Sequence, residues 1–588
     1  MRLRPSAIAY VVFAAMSAAL TGCGHSLSTS SDAESVLYQE TLRTRGFDPA
    51  KASDATSAQA VARIYETLLQ YDYLARPYRV VPLLSESMPK ISDDGLTYRF
   101  KVRQGIYFQD DPCFTGGKGR EVIADDFVYA IKRVADSKVA SGGWWAFNGR
   151  IVGLNEFRDR FANEANTDYG FEVSGLRSID RYTLQIQLKD AYPQLQWIMA
   201  MHYAAAVPRE AVEHYGDDFV NHPVGSGPYV LKSWIRNYKM EFVRNPKWSE
   251  TGRVERYPDA AGEADAGKQI PFIDRIVDYI VADTTTKWLL FLTGQIDGSE
   301  ISRDNWDVVM TGDGKLVDSL VQQGVQLHSM PTLRIGYIGF NMDDPVVGTN
   351  KKLRQALSCA FESKAWEKFY NNRIRRPNGP IPEGLPGYDP APSPYEFNVE
   401  KARSLLAEAG YPGGQDPATG RRLQVTIESG RADDPEARQS LELVTAFFDR
   451  IGVVLQTSFN NGPTFYDKLD RRQAQLYALS WLGDYPDAEN FLQCFYGANS
   501  SPGPNHSNYV NPVFDRLYEK ARSMQDTPER TELYRTMAAV VVEDCPWIFT
   551  SQPISYVLHS PAFKNFKPTD FPYGMEKYYR IDRKGGGP

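Results

Sequence analysis

The sequence predicts an α/β protein on three observations: strict apolar/polar alternation, helix-period apolar faces set between capping residues, and one compact strand–helix–strand run. In chain order, Leu96, Tyr98, Phe100 and Val102 alternate with polar neighbours, the pattern of a half-buried strand. Asp125 and Asp126 open a helix whose apolar face is Ala124, Phe127, Val128 and Ile131. Lys132 and Arg133 close it, so charge complements the helix dipole at both ends. Asn398 is placed as the N-cap of a helix carrying Val399, Ala402, Leu405, Leu406 and Ala409, with Gly410 as its stop. Leu423, Val425 and Ile427 form the next strand pattern. A helix through Leu441, Val444, Phe447, Phe448 and Ile451 follows, ended by Gly452, and Val453, Leu455 and Thr457 begin another strand. Elements this close together favour parallel pairing through a right-handed crossover. Polar or Pro/Gly-rich stretches at 113–120, 249–269, 371–394 and 411–422 read as surface loops. There is no internal repeat.

At 588 residues the chain exceeds a single core and suggests about three to four domains. Its 42% hydrophobic and 24% charged content is ordinary for a globular protein. One apolar run stands out at the start, residues 7–20, preceded by Arg2 and Arg4 and closed by Leu20-Thr21-Gly22-Cys23. At about 14 residues it falls short of the roughly 20 of a spanning helix and suits a secretory leader. The last four residues resemble the bacterial lipobox. Residues 1–22 are therefore expected to be removed, Cys23 to carry lipid at the membrane, and 23–35, rich in Ser and Thr, to be a tether outside the cytoplasm. Loss of Arg2 and Arg4 takes the net charge of −7 two units lower. A mildly acidic chain without a basic block argues against nucleic acid.

Much catalytic chemistry has no representative. There is no G-x-x-x-x-G-K-[ST] loop, H-E-x-x-H helix or G-x-S-x-G elbow. The run Thr115-Gly116-Gly117-Lys118-Gly119 lacks the spacing and setting of a phosphate loop and reads as surface. Seven histidines are scattered without a ligand pair, so no metal and no cofactor is expected. Asp125/Asp126 and Asp433/Asp434 stand at helix starts, where capping accounts for them. Cys113, Cys359, Cys494 and Cys545 allow three disulfide pairings or none.

A series of segments, in order, resembles the extracellular solute-binding proteins of family 5, the oligopeptide, dipeptide and nickel-type receptors of ABC importers. They begin with Phe47-Asp48-Pro49, then Tyr65-Glu66, then Val81-Pro82-Leu83-Leu84 through Tyr98. Arg103-Gln104-Gly105-Ile106 and Ile123-Ala124-Asp125-Asp126-Phe127 follow, separated by a longer link than the family's. Pro223-Val224-Gly225-Ser226-Gly227-Pro228-Tyr229, whose glycines suit a tight turn, Leu353-Arg354-Gln355-Ala356-Leu357 and Gly379-Pro380-Ile381-Pro382 complete the set. The resemblance implies a two-lobed type II periplasmic-binding-protein fold with an extra domain, hinged on two crossing segments. Carried over, 36–70, 206–325 and 536–588 form lobe I, 71–205 the extra domain inserted in it, and 326–535 lobe II.

Trp481-Leu482-Gly483-Asp484-Tyr485 resembles the peptide-receptor segment whose aspartate pairs with the ligand's α-ammonium. The physics agrees: a buried ammonium needs a carboxylate, and an indole supplies a dry wall. Asp484, Trp481 and Tyr485 are accordingly placed at the ligand, with Asp484 as a turn or cap residue the competing assignment. The resemblance also lays Ser53 and Ala55 along the peptide backbone and brings Trp144 or Trp145 in from the extra domain. The function it implies is capture of short peptides and delivery to an inner-membrane permease by a monomeric lipoprotein that is not an enzyme. The alternatives are the same fold with a nickel chelate, haem, oligosaccharide or opine-like cargo, an extracytoplasmic hydrolase, or a cell-wall or sensory protein.

Overall fold

The computed structural model describes residues 34–250, 255–312, 314–432, 434–571 and 573–583. The leader, Cys23 and the tether to residue 33 lie outside these, as does Asp433. Residues from Ser35 onward form one compact unit built on three principal sheets. In the first, Val36–Thr41 lies parallel to Arg275–Ile280, and Lys239–Arg244 and Tyr229–Ile235 continue it antiparallel. The second is wholly antiparallel and runs Lys90–Ile91, Thr97–Lys101, Thr183–Gln187, Leu176–Asp180. The third, eight-stranded, has Arg334–Phe340 between Trp547–His559 and Leu476–Leu482, then Gln424–Ser429 and Val454–Phe459.

The expected strand–helix–strand unit is present. Gln424–Ser429 pairs in parallel with Val454–Phe459, Val425 opposite Leu455, across the helix Pro435–Asp449. Gly452 follows that helix at φ 85°, a value glycine adopts without Cβ strain. The strand around Tyr98 runs Thr97–Lys101 with Tyr98 and Phe100 fully buried. In the helix Ala124–Ala135 the Asp126 carboxylate accepts from the Ile123 amide at 2.8 Å, the capping role expected of it. Asn398 caps Val399–Glu408 by accepting from the Lys401 amide at 2.9 Å. Asn398→Ala should therefore cost about 1 kcal/mol of stability, read as a lower denaturation midpoint.

Three expectations change in detail. The stretch 113–120 is anchored: Phe114 is buried and stacks on Phe108 with ring centroids 6.0 Å apart. Within 371–394, Ile374–Arg375 is a short strand on Trp547–His559. Gly225 is needed for close approach and not for a left-handed turn, because a Cβ there would stand 1.9 Å from the Ile64 carbonyl oxygen. All four described cysteines are free.

The strand Trp547–His559 deserves its length. Trp547 and Phe549 sit in the core with Tyr337 and Tyr534, whereas Leu558 packs with Phe291, Trp306 and Val309. Its early residues pair with Arg334–Phe340 and its later ones with Gln326–Pro331. These two antiparallel segments run together from one core to another. No helix among the described residues is long and apolar enough to cross a membrane.

Candidate functional site

The helix Ala55–Ile64 begins at the wall of a cavity of about 400 Å³. Asp54 caps it, accepting from the Ser57 amide at 2.9 Å and the Ser57 hydroxyl at 2.8 Å. That cap fixes the turn Ala52-Ser53-Asp54-Ala55, which lines the cavity. The turn lies tightly against the 142–145 segment, since a Cβ on Gly142 would stand 2.6 Å from the Ser53 Cβ. His202 secures the same turn: its Nε2 is 2.6 Å from the Ala52 carbonyl oxygen. Burial drives that imidazole's pKa down to about 4, so the ring is neutral at physiological pH and donates to the carbonyl.

Another part of the lining comes from the end of the strand Leu476–Leu482 and the turn after it. Leu482, half exposed, faces the cavity, and Asp484 follows. Asn490 holds Asp484 from both sides: its side-chain oxygen accepts from the Asp484 amide and its side-chain nitrogen donates to Oδ2, both at 3.0 Å. The carboxylate is solvent-exposed and opens onto the cavity, whose walls crowd it. Desolvation raises its pKa above the usual carboxylate range, and the Asn490 hydrogen bond offsets only part of this. Among the described residues no Lys, Arg or His lies at ion-pair distance from it, and the Asn490 side-chain amide is the donor that meets it.

The expected site residues divide. Asp484, Ser53, Ala55 and Trp145 meet in this cavity. Trp144, Trp481 and Tyr485 do not line it. Trp144 shares a tight turn with Trp145 but points away, its ring under the Arg158 guanidinium at 4.9 Å. Trp481 is one residue out of phase with Leu482 on the strand, so its indole goes to the other side and donates to Asn490 at 3.0 Å. Tyr485 is 3% exposed, and its hydroxyl donates to the buried Glu489 at 2.7 Å. Trp481 and Tyr485 thus support the segment that bears Asp484.

Sequence reasoning missed the C-terminal contribution. Asp570, Phe571, Tyr573 and Lys577 line the cavity, as do Tyr71 and Tyr203. No local pattern marks them, because chain ends more than 500 residues apart are brought together by the buried ion pairs of Arg63 with Asp278 and Glu576. Lys577 is the lysine of the lining, and its Nζ donates to Gln70 at 2.9 Å and Glu255 at 3.0 Å. Among the described residues no three His, Cys, Asp or Glu cluster as a metal site would require.

Residues 79–503 match the family model of bacterial extracellular solute-binding proteins, family 5. Heme-binding protein A of Haemophilus influenzae is 26% identical over 95% of this chain and 93% of its own length. The dipeptide-binding protein of Escherichia coli is 24% identical over 92% of this chain and 91% of its own. The periplasmic murein tripeptide-binding protein MppA, in its unliganded open form, superposes with a TM-score of 0.73 at 21% identity, covering 93% of this chain and 97% of that one. The fold is the type II periplasmic-binding-protein fold.

Proposed function

Because the chain belongs to the bacterial extracellular solute-binding proteins of family 5, we propose that it captures short peptides in the cavity beside Asp484 and passes them to the permease of an ABC importer, with no chemistry of its own. The observation that carries the peptide reading is the Asp484 carboxylate, set in the cavity lining and without a cationic partner among the described residues. A peptide α-ammonium supplies the missing counter-charge. Backbone contacts of the strand-addition type then bind peptides of varied sequence.

A second reading, haem, is favoured by the likeness to Heme-binding protein A. Haem brings two carboxylates and needs cations and an axial ligand. The lining lysine, Lys577, already donates to Gln70 and Glu255, and the lining imidazole, His202, is directed at the Ala52 carbonyl. Both points favour peptide over haem.

In this reading the protein works as a monomer on the extracytoplasmic side, tethered by lipid at Cys23. Residues 36–70 and 206–325 belong to lobe I, 71–205 to the extra domain and 326–535 to lobe II. We move the return to lobe I from 536 into the strand Trp547–His559, because Met537, Val541 and Trp547 pack in one core with Tyr337 and Phe495.

Calorimetric titration with Ala-Ala-Ala, its N-acetyl form and haemin tests the proposal. The free tripeptide should bind saturably, acetylation should weaken it by about 30-fold or more, and haemin should give no stoichiometric Soret shift. Stoichiometric haemin binding without peptide heat would favour the second reading.

A further inference from the structure

The cavity is acidic beyond what one ammonium requires. Asp54, Glu66, Asp484 and Asp570 line it, against Lys577. Asp54 is engaged as a helix cap, and Glu66 accepts from Ser226 and Trp248, both at 3.1 Å. Asp570 has no comparable engagement. Its Oδ2 accepts a long 3.3 Å hydrogen bond from the Leu333 amide, and among the described residues no cation lies at ion-pair distance. Two guanidiniums, Arg76 and Arg334, act on it from beyond ion-pair distance, and Arg76 is directed elsewhere: it donates to the Ala75 and Pro568 carbonyls and lies over the Tyr78 ring at 4.4 Å. Burial pushes the Asp570 carboxyl up to about 6, partly offset by the Leu333 N–H and by the Arg76 and Arg334 charges, so it is largely ionised at neutral pH.

Asp570 and Asp484 flank one aromatic contact. Gly483, next to Asp484, lies against Phe571, next to Asp570; a Cβ on Gly483 would stand 3.3 Å from the Phe571 ring. Phe571 stacks on Tyr71 with centroids 6.3 Å apart and planes at 9°. The lining therefore offers two carboxylates, each the chain neighbour of a residue in this aromatic contact, an arrangement that suits an ammonium at one end of an alkyl stem and a second cation at the other.

We propose that Asp570 is a specificity-determining residue that selects peptides whose first residue is Lys or Arg, Asp484 taking the α-ammonium and Asp570 the side-chain cation, with the stem over Phe571. This rests on the peptide reading of Asp484. The test is calorimetry with Lys-Ala-Ala and norleucine-Ala-Ala, which share a stem and differ in the charge, on the protein and on Asp570→Asn. The amide retains an oxygen for the Leu333 N–H. Lys-Ala-Ala should bind about tenfold tighter than the norleucine peptide, and Asp570→Asn should remove that ratio by weakening only the lysine peptide. Equal binding by the unaltered protein, or a ratio kept in Asp570→Asn, overturns the role of Asp570 and leaves the peptide reading intact. Failure of both peptides to bind overturns both.

Discussion

Arg63→Leu should lower the unfolding free energy by about 3–5 kcal/mol, seen as a fall in the denaturant midpoint at unchanged slope. Arg63 sits on the helix Ala55–Ile64 and is 1% exposed. Its guanidinium donates to Asp278, and to Glu576 through Nε at 2.9 Å and Nη2 at 2.6 Å, with the Phe242 ring 4.9 Å away. Both carboxylates are buried, and Asp278 is held above the usual carboxylate range by desolvation even with Arg63 present. Leucine would leave the two acids facing each other, supported only by Gln39 on Asp278 at 2.9 Å and Gln59 on Glu576 at 3.1 Å. Proton uptake would relieve part of the repulsion, so the deficit should shrink as the pH falls. Replacing all three charges together, Arg63→Met with Asp278→Leu and Glu576→Leu, should recover most of the loss, since packed apolar groups avoid the desolvation cost. A change below about 1 kcal/mol in Arg63→Leu would contradict this account. The triad matters for function because it joins the helix behind Ser53 to the tail carrying Asp570 and Lys577, which are two walls of the cavity.

Asp484→Asn should weaken a free tripeptide by about 2–5 kcal/mol while leaving the unliganded melting temperature nearly unchanged. The amide can still accept from Asn490, so the turn keeps its geometry and only the charge is lost. The sign with pH follows from the raised carboxyl. Above its pKa the carboxylate is charged and affinity is full; as the pH falls through that pKa the group takes up a proton and affinity declines. The unliganded protein behaves oppositely: its folded state holds that proton more tightly than the unfolded chain, so this group adds stability as the pH falls through the same range. Asp484→Asn should remove both dependences, and an unaltered pH profile of binding would exclude Asp484 as the counter-charge.

Local signals carried the secondary structure well. Asn398 and Asp126 were legible as capping residues because such bonds join a side chain to an amide only three residues away, forward from Asn398 to Lys401 and back from Asp126 to Ile123. The parallel pairing of 424–429 with 454–459 followed from a strand, a helix and a strand lying close together in the chain. Of the segment 481–485, Asp484 reaches the cavity while Trp481 and Tyr485 do not, and for Trp481 the reason is phase. A strand sends successive side chains to opposite faces, so Trp481 and Leu482 cannot both face the cavity, and the larger side chain is on the supporting face. Trp144 and Trp145 divide similarly within one tight turn. Asp570, Phe571 and Lys577 had no signal because their positions depend on Arg63, Asp278 and Glu576 meeting across the whole chain, a relation without local periodicity.

The central claim is that the cavity beside Asp484 holds peptides by their amino ends. Native mass spectrometry of the gently purified protein, followed by release and sequencing of bound material, tests it most directly. The account predicts a ladder of short peptides, absent from Asp484→Asn. A single non-peptide mass, haem above all, retained equally by Asp484→Asn, would contradict it.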